Sequence, residues 1–439
     1  MQLSKHNILT RIAGDERWLL ANLLSGQADI LDPGVGEKLA AGEVTDAEAL
    51  AAKGYLVDPA EEAQRYRQAY LEFIDGRETD EVQLFYVPSY ACNFGCSYCF
   101  QDEYAPAAGG DGDAVLEAFF AYVDDTFAKR SKYVTLFGGE PLLPNPGSRR
   151  TVQRLIDGTV ARGLDLAVVT NGYWLESYVD VLRKGRIREV QVTLDGPAQV
   201  HDARRMLKGG GGTFERIAAG IDACLAAGLH VNLRSVLDRD NIEAFAELAH
   251  FAIDRGWTAN PAFKTQIGRN YELHHCQSDR NRLYSRLELF QDLYRLADRD
   301  PEILRFHSPA FSVAKFLFER GELPAPLFDS CPACKTEWAF DYTGHIYSCT
   351  ATVGKQDEVL GTFWPTRELR TADIDQWQER DVLAISQCAT CPSQLACGGG
   401  CGSVAKNWSG RIDAADCRPI PELLALGTAL YGREALAEP

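Results

Sequence analysis

Three observations predict an α/β fold with a largely parallel sheet. From about Glu81 onward, strand-like and helical stretches alternate, the pattern of parallel strands joined by covering helices. The strand-like stretches are short apolar runs rich in β-branched and aromatic residues. The polar and cysteine-bearing motifs come directly after those runs, where parallel α/β folds gather their chemistry. At 439 residues, 46% of them apolar, the chain has material for two or three domains with buried cores. The expected partition is an N-terminal unit over residues 1–80, an α/β body over 81–300 and a cysteine-rich region over 301–439.

The N-terminal unit begins with two strands, Asn7 to Ile12 and Trp18 to Leu23, paired as a hairpin across Gly14-Asp15. A short strand, Asp29 to Leu31, follows. One short helix starts after Pro33, a favoured first-turn residue, and another runs from Ala47 to Lys53 and stops at Gly54. In the body, strands are expected at Val82–Val87, Tyr133–Phe137, Leu166–Thr170, Val190–Leu194, Val231–Leu237 and Phe263–Ile267. Helices are expected between them, among them Ala114–Phe127, Phe214–Ala227 and Ile242–Arg255. Gly209 to Gly212 reads as a hinge or linker, since no phosphate-loop lysine follows in register. Residues from about 270 to 330 look helical and connecting.

The formal charge of −17 argues against nucleic acid, which needs a basic footprint. No run approaches the roughly 18 apolar residues of a membrane span, and Met1 to His6 carries no signal-peptide core. A soluble, cytoplasmic protein without nucleic-acid or membrane partners is therefore expected. In that compartment, thirteen cysteines point to metal rather than to disulfides. Two fall outside ligand spacings. Cys224 shares a helical face with Phe214, Ile217, Ile221 and Leu225, as a small core residue would. Cys276 follows His274 and His275, adjacent side chains that diverge on most backbones.

The organising stretch is Cys92-Asn93-Phe94-Gly95-Cys96-Ser97-Tyr98-Cys99, directly after the first body strand. The spacing C-x3-C-x2-C can bring three thiolates to one iron–sulfur cluster and leave one iron of a four-iron cubane open. Zinc normally takes four ligands, and this loop offers no fourth. Tyr98 and Phe100 would shield the cluster from water. The arrangement resembles the signature of radical S-adenosylmethionine enzymes. The resemblance implies that Cys92, Cys96 and Cys99 are the catalytic ligands, that the open iron chelates the methionine moiety, and that the reduced cluster cleaves the sulfonium to a 5′-deoxyadenosyl radical. It also implies a partial (β/α)6 barrel for the body.

The later strand ends fit the same family. After the second strand, Gly138-Gly139-Glu140-Pro141 combines glycines that allow close backbone approach with a carboxylate able to accept from an ammonium. In the family this motif holds the methionine amino group. Asn171 ends the third strand; Thr193 and Asp195 end the fourth, before His201-Asp202 and Arg205. These resemble the family's positions near the ribose and the methionine carboxylate, with Tyr98 counted among the cofactor contacts. Arg234 reads equally as a structural ion pair or a ligand contact.

The remaining cysteines arrive in series. Cys331 and Cys334 precede Gly344 and Cys349; then come Cys388, Cys391, Cys397, Cys401 and Cys417. From Cys334 on, the spacing resembles the seven-cysteine SPASM extension, and Cys331 supplies an eighth thiol. By that resemblance one auxiliary cluster takes Cys331, Cys334, Cys349 and Cys401, and the other takes Cys388, Cys391, Cys397 and Cys417. Three 4Fe-4S clusters and S-adenosyl-L-methionine are thus the implied cofactors, with a reducing partner such as flavodoxin or ferredoxin. Residues 1–80 resemble PqqD-like winged-helix modules, which bind the leader of ribosomally made peptides along a strand edge. The implied function is a peptide maturase that installs an oxidative crosslink, thioether or carbon–carbon. An anaerobic sulfatase maturase is the alternative, but its proposed aspartate base, directly after the cysteine matching Cys349, is here Thr350, which cannot act as a carboxylate base. A non-catalytic electron carrier is the third reading, and it leaves Gly138-Gly139-Glu140 unexplained.

Overall fold

The computed structural model describes residues 1–99, 101, 112–269 and 282–437. Phe100 and the His274-His275-Cys276 trio lie outside these residues. The chain opens with β1 (Gln2–Leu3), then β2 (Ile8–Arg11), β3 (Trp18–Asn22) and β4 (Gln27–Leu31) in an antiparallel sheet ordered β2-β3-β4. Helices Pro33–Ala40 and Ala47–Ala52 follow, and β5 (Leu56–Val57) returns to pair with β1.

The sequence reading missed the next element, a 21-residue helix, Pro59–Thr79. Its start is well specified. The Asp58 side chain accepts from the Ala60 and Glu61 amides, Pro59 takes the first turn, and Glu61 and Glu62 sit at the positive end of the dipole. Most of the helix is polar, so its packing rests on one narrow stripe, Tyr66, Tyr70 and Phe73, at helical spacing. All three rings lie against the buried Phe328, with centroids 5.1, 5.3 and 5.6 Å away.

The body supplies β6 (Val82–Val87), β7 (Lys132–Leu136), β8 (Leu166–Thr170), β9 (Ile187–Thr193), β10 (Val231–Leu237) and β11 (Phe263–Arg269), all parallel and adjacent in chain order. Helices Gly112–Thr126, Pro146–Ala161, Phe214–Ala226 and Phe245–Asp254 cover one face. Alternate residues such as Leu84, Val134, Val168, Val192 and Leu233 meet those helices in the main core, where Cys224 is also buried. The opposite face is more polar. There Gln83 donates to Thr135 at 2.9 Å and Asn232 to Glu189 at 3.1 Å.

The sheet then continues into the cysteine-rich region. β12 (Glu337–Asp341) pairs parallel to β6, and β13 (His345–Tyr347), β14 (Gly361–Thr362) and β15 (Glu368–Leu369) extend it antiparallel to ten strands. A second core joins the chain's two ends: Ile8, Ile12, Leu19 and Leu23 pack with Phe328, Ile385, Leu395 and Leu424. No described helix is long and apolar enough to cross a membrane.

Candidate active site and metal centres

The three-cysteine loop leaves the C-terminal end of β6 and is clamped on two sides. On one side, Gly139 N donates to Ser89 O at 3.1 Å and Glu140 N to Ala91 O at 2.8 Å. A Cβ on Gly139 would stand 2.3 Å from Ala91 O, so the glycine is demanded by the cysteine loop itself. On the other side, Gly95 N donates to Met206 O at 2.9 Å and Ser97 N to Arg204 O at 3.0 Å, while Lys208 N donates to Asn93 O at 2.9 Å. Cys92, Cys96 and Cys99 are half-buried. Burial pushes the Cys92 thiol up to about 12, with Glu140, Cys96 and Cys99 adding repulsion. Its sulfur accepts from Phe94 N at 3.4 Å and from Asn171 Nδ2 at 3.8 Å.

The strand-end residues converge on this loop. Glu140 is 2% exposed. Its Oε1 accepts from Leu142 N at 2.8 Å and Thr170 Oγ1 at 2.7 Å, and its Oε2 from Asn171 N at 2.6 Å. Burial raises its pKa, partly offset by those bonds. Asn171 Nδ2 also donates to Asn93 Oδ1 at 2.9 Å. Tyr98 donates to Asp195 Oδ2 at 2.6 Å and accepts from Arg205 Nη1 at 2.6 Å. Asp195 Oδ1 takes the Val236 amide at 2.9 Å, and Arg204 Nε lies 3.5 Å from Asp195 Oδ2. The carboxylate of Asp195 is thus committed to holding Tyr98 and its neighbours. Arg204 itself grips Asp238 with two bonds, at 2.8 and 3.0 Å. Thr193 is buried at the end of β9, and Gly138 has φ 134° beside Ser89. Arg234, paired in register with Thr193, is half-buried and makes no ion pair among the described residues.

Eight further thiols fall into two neighbourhoods. Burial, then Cys349 and Cys331, raise the Cys334 thiol. Burial, then Glu337 and Cys331, with Cys401 also contributing, push Cys349 up to about 12. Cys331 Sγ accepts from Gly402 N at 3.4 Å, at the start of helix Gly402–Ser409. In the other neighbourhood, burial and then Cys397, Cys391 and Cys417 push Cys388 up to about 11. The groupings are those of the two quartets that the SPASM resemblance implies. Cys417 is exposed, whereas Cys388 and Cys397 are buried. Among the described residues no three His, Cys, Asp or Glu side chains close on a point as ligands of a single ion do.

Asn93 Nδ2, Gln101 Nε2 and Arg205 Nε are buried donors without partners among the described residues. Donors without acceptors around three thiols suit an anionic, thiolate-held cluster, so the residues present fit the group. A family model described as the Radical SAM superfamily matches residues 86–252. Those residues carry a radical SAM domain. Among curated relatives, the GTP 3',8-cyclase of Campylobacter fetus subsp. fetus is 29% identical over 171 residues, covering 38% of this chain and 50% of that protein. That of Xanthomonas campestris pv. campestris is 32% identical over 173 residues, covering 38% and 48%. The chain thus spans about half the length of these relatives. Among solved structures, native anSMEcpe with bound AdoMet and Cp18Cys peptide aligns with TM-score 0.60 and 17% identity, covering 81% of this chain and 97% of that one. Streptococcus suis SuiB bound to precursor peptide SuiA aligns with TM-score 0.53 and 15% identity, covering 95% and 98%. Both show the shared fold.

Sequence reasoning overlooked several side chains that shape these sites. Arg204 was passed over because the motif reading took His201, Asp202 and Arg205, and Asp238 because it lies beyond that motif. Glu337 is a carboxylate whose Oε1 accepts from Thr350 N at 2.7 Å. Asp341 accepts from both Tyr90 and Tyr347, at 2.9 and 3.0 Å. Arg380 is fully buried between the two thiol quartets. Glu337 and Asp341 bracket the apolar run Trp338-Ala339-Phe340, which was their only sequence signal; Arg380, between Glu379 and Asp381, gave none.

Proposed function

We propose that this protein is a peptide maturase that takes a hydrogen from a ribosomally made peptide and closes an oxidative crosslink, thioether or carbon–carbon. The reading is carried by one continuous sheet that joins the three-thiol loop after β6 to the segments of Cys331, Cys334 and Cys349 around β12 and β13, with five further thiols in the same C-terminal region. When bound, a reduced four-iron cluster and S-adenosylmethionine supply a 5′-deoxyadenosyl radical at the three-thiol loop, and two further clusters supply an acceptor for the electron released as the new bond forms. Cys92, Cys96 and Cys99 hold the first group. Glu140 and Asn171 present buried polar atoms beside it, and Arg205 adds positive charge next to Cys96. The two quartets, Cys331/Cys334/Cys349/Cys401 and Cys388/Cys391/Cys397/Cys417, hold the others. The main core beneath the sheet and the aromatic pair Phe94 and Tyr173 keep water from the loop.

Two points support a peptide substrate. SuiB, which covers nearly the whole of this chain, binds the precursor peptide SuiA. SuiB covers 95% of this chain against 81% for anSMEcpe, and the leader-binding unit of this reading is residues 1–80. In that unit β4 is an edge strand able to accept an extended leader. A sulfatase-maturase role is less well supported, because Thr350 stands where that reading wants an aspartate.

The test is the product. A crosslink removes two hydrogens, one to deoxyadenosine and one as a proton with its electron passed on. The peptide should therefore lose about 2 Da per turnover, and deuterium at the target carbon should appear in the deoxyadenosine. A substrate whose mass is unchanged, or one that loses sulfur, would sink the crosslinking reading.

A further inference from the structure

Tyr90 lies two residues before Cys92, and Tyr347 lies two residues before Cys349. These cysteines belong to different thiol groups, yet the two phenols meet on one carboxylate. Asp341 Oδ2 accepts from Tyr90 Oη at 2.9 Å and from Tyr347 Oη at 3.0 Å. Its Oδ1 accepts from Thr343 N at 3.0 Å, from His345 N at 3.3 Å and from the Thr343 hydroxyl. Asp341 is 1% exposed and sits at the end of β12, paired with Val87 at the end of β6. It has no cationic partner among the described residues. A buried carboxylate without a cation is costly unless several donors satisfy it. Here five do, two of them from segments that run straight into cysteines.

A residue needed only to close the β12–β13 hairpin would use Oδ1 alone. The second oxygen is spent on the tyrosines, inside a small apolar cluster of Phe85, Val87, Ala339, Tyr347 and Val353. The Tyr90 ring also packs edge-on against Tyr342, with centroids 5.8 Å apart.

We infer that Asp341 is a positioning residue shared by two metal sites, holding the Cys92 loop and the Cys349 hairpin in fixed relation through Tyr90 and Tyr347. This rests on reading both thiol groups as cluster sites. The anaerobically loaded full-length enzyme is incubated with iodoacetamide, and the rate at which each cysteine is alkylated is followed by mass spectrometry. Tyr90→Phe should speed alkylation of Cys92, Cys96 and Cys99 about tenfold, the loss expected when a hydrogen bond to a buried charge goes. Cys334 and Cys349 should stay near wild-type rates. Tyr347→Phe should do the converse, and Asp341→Asn should speed both groups while sparing Cys388, Cys391 and Cys397. In the anaerobically loaded enzyme, Tyr90→Phe should alter the EPR signal that responds to S-adenosylmethionine, and Tyr347→Phe a signal that does not. The bridge is overturned if Tyr90→Phe leaves its three thiols unchanged, or if Asp341→Asn affects Cys334 and Cys349 only. A wild-type chain that binds far fewer than about twelve irons would instead undo the cluster reading, whatever the alkylation pattern.

Discussion

Replacing Phe328 by alanine should release helix Pro59–Thr79 from the cysteine-rich region. Phe328 is 0% exposed and receives the edges or tilted faces of Tyr66, Tyr70 and Phe73. A buried Phe→Ala change costs about 3–5 kcal/mol, and each lost ring–ring contact accounts for about 0.5–1.5 kcal/mol of such a sum. What remains to that region is two hydrogen bonds, Tyr66 Oη to Gln394 Oε1 and Tyr70 Oη to Asp381 Oδ2, both at 2.8 Å, and a 4.0 Å ion pair of Arg77 with Asp329. At about 1 kcal/mol each they cannot replace the ring. If opening of this helix governs its amide exchange, a loss near 3–4 kcal/mol speeds exchange by about a hundredfold to several hundredfold. Hydrogen exchange read by mass spectrometry on peptides from residues 59–79 measures this, with peptides from β6 to β10 as the internal reference. Equal acceleration of both sets would mean general destabilisation, and no acceleration of the helix would mean that the ring stack does not hold it; either result refutes the reasoning. Removing residues 1–79 outright is a poorer probe, because it strips Ile8, Ile12, Leu19 and Leu23 from a core shared with Leu395 and Leu424.

Two further outcomes are expected. His6 is buried, stacked on Tyr66, and held at about 4 by burial and by Lys5; its folded pKa is depressed, so stability is full above about pH 6.5 and falls as pH drops toward 4. Urea midpoints should decline over that window more steeply in wild type than in His6→Phe, and parallel curves would show that His6 is not the group responsible. Iron analysis after anaerobic reconstitution should give roughly twelve irons per chain, and Cys331→Ser should impair only the site of Cys334, Cys349 and Cys401; unchanged iron and EPR spectra in that variant would remove Cys331 from the ligand set.

The parts of this molecule that were legible in the sequence are those whose chemistry fixes spacing. Cys92, Cys96 and Cys99 recur at short intervals and do lie together on one loop after β6; Gly139, read as leaving room for a ligand, has another reason in the structure, since a Cβ there would strike Ala91 O. Strand positions were legible because residues such as Val134 and Val231 bury one face under helices. The parallel pairing of β12 with β6 was not, since the two strands are separated by some 250 residues and no local rule joins them. Helix Pro59–Thr79 was missed although Asp58-Pro59 is a strong start, because its apolar stripe is only three rings wide and its partner, Phe328, is remote. Asp195 was read as a contact for the cofactor; its neighbours in the fold, Tyr98, Arg204 and Val236, already claim both oxygens.

The two thiol quartets are interleaved, and the step between them explains why a fully buried arginine is tolerated. Cys397 neighbours Cys388 and Cys417, while Cys401 neighbours Cys331. Only Gly398, Gly399 and Gly400 lie between them, with φ of 61, 74 and 72°. A Cβ on Gly400 would stand 2.1 Å from Asp416 O, so the crossover runs directly against the segment that leads to Cys417. The Arg380 guanidinium donates to Gly399 O at 2.7 Å and Gly400 O at 3.0 Å on one strand of this crossing. On the other it donates to Ile412 O at 2.7 Å and Ala414 O at 3.1 Å. Asp329, also paired with Lys335, lies 3.8 Å from Arg380 Nη1 and supplies the balancing charge. Burying a guanidinium is expensive, and four carbonyls with one carboxylate offset that cost only if the crossing segments stay where they are. The charge therefore acts as a geometric lock: a displacement at either quartet breaks bonds that fix the other.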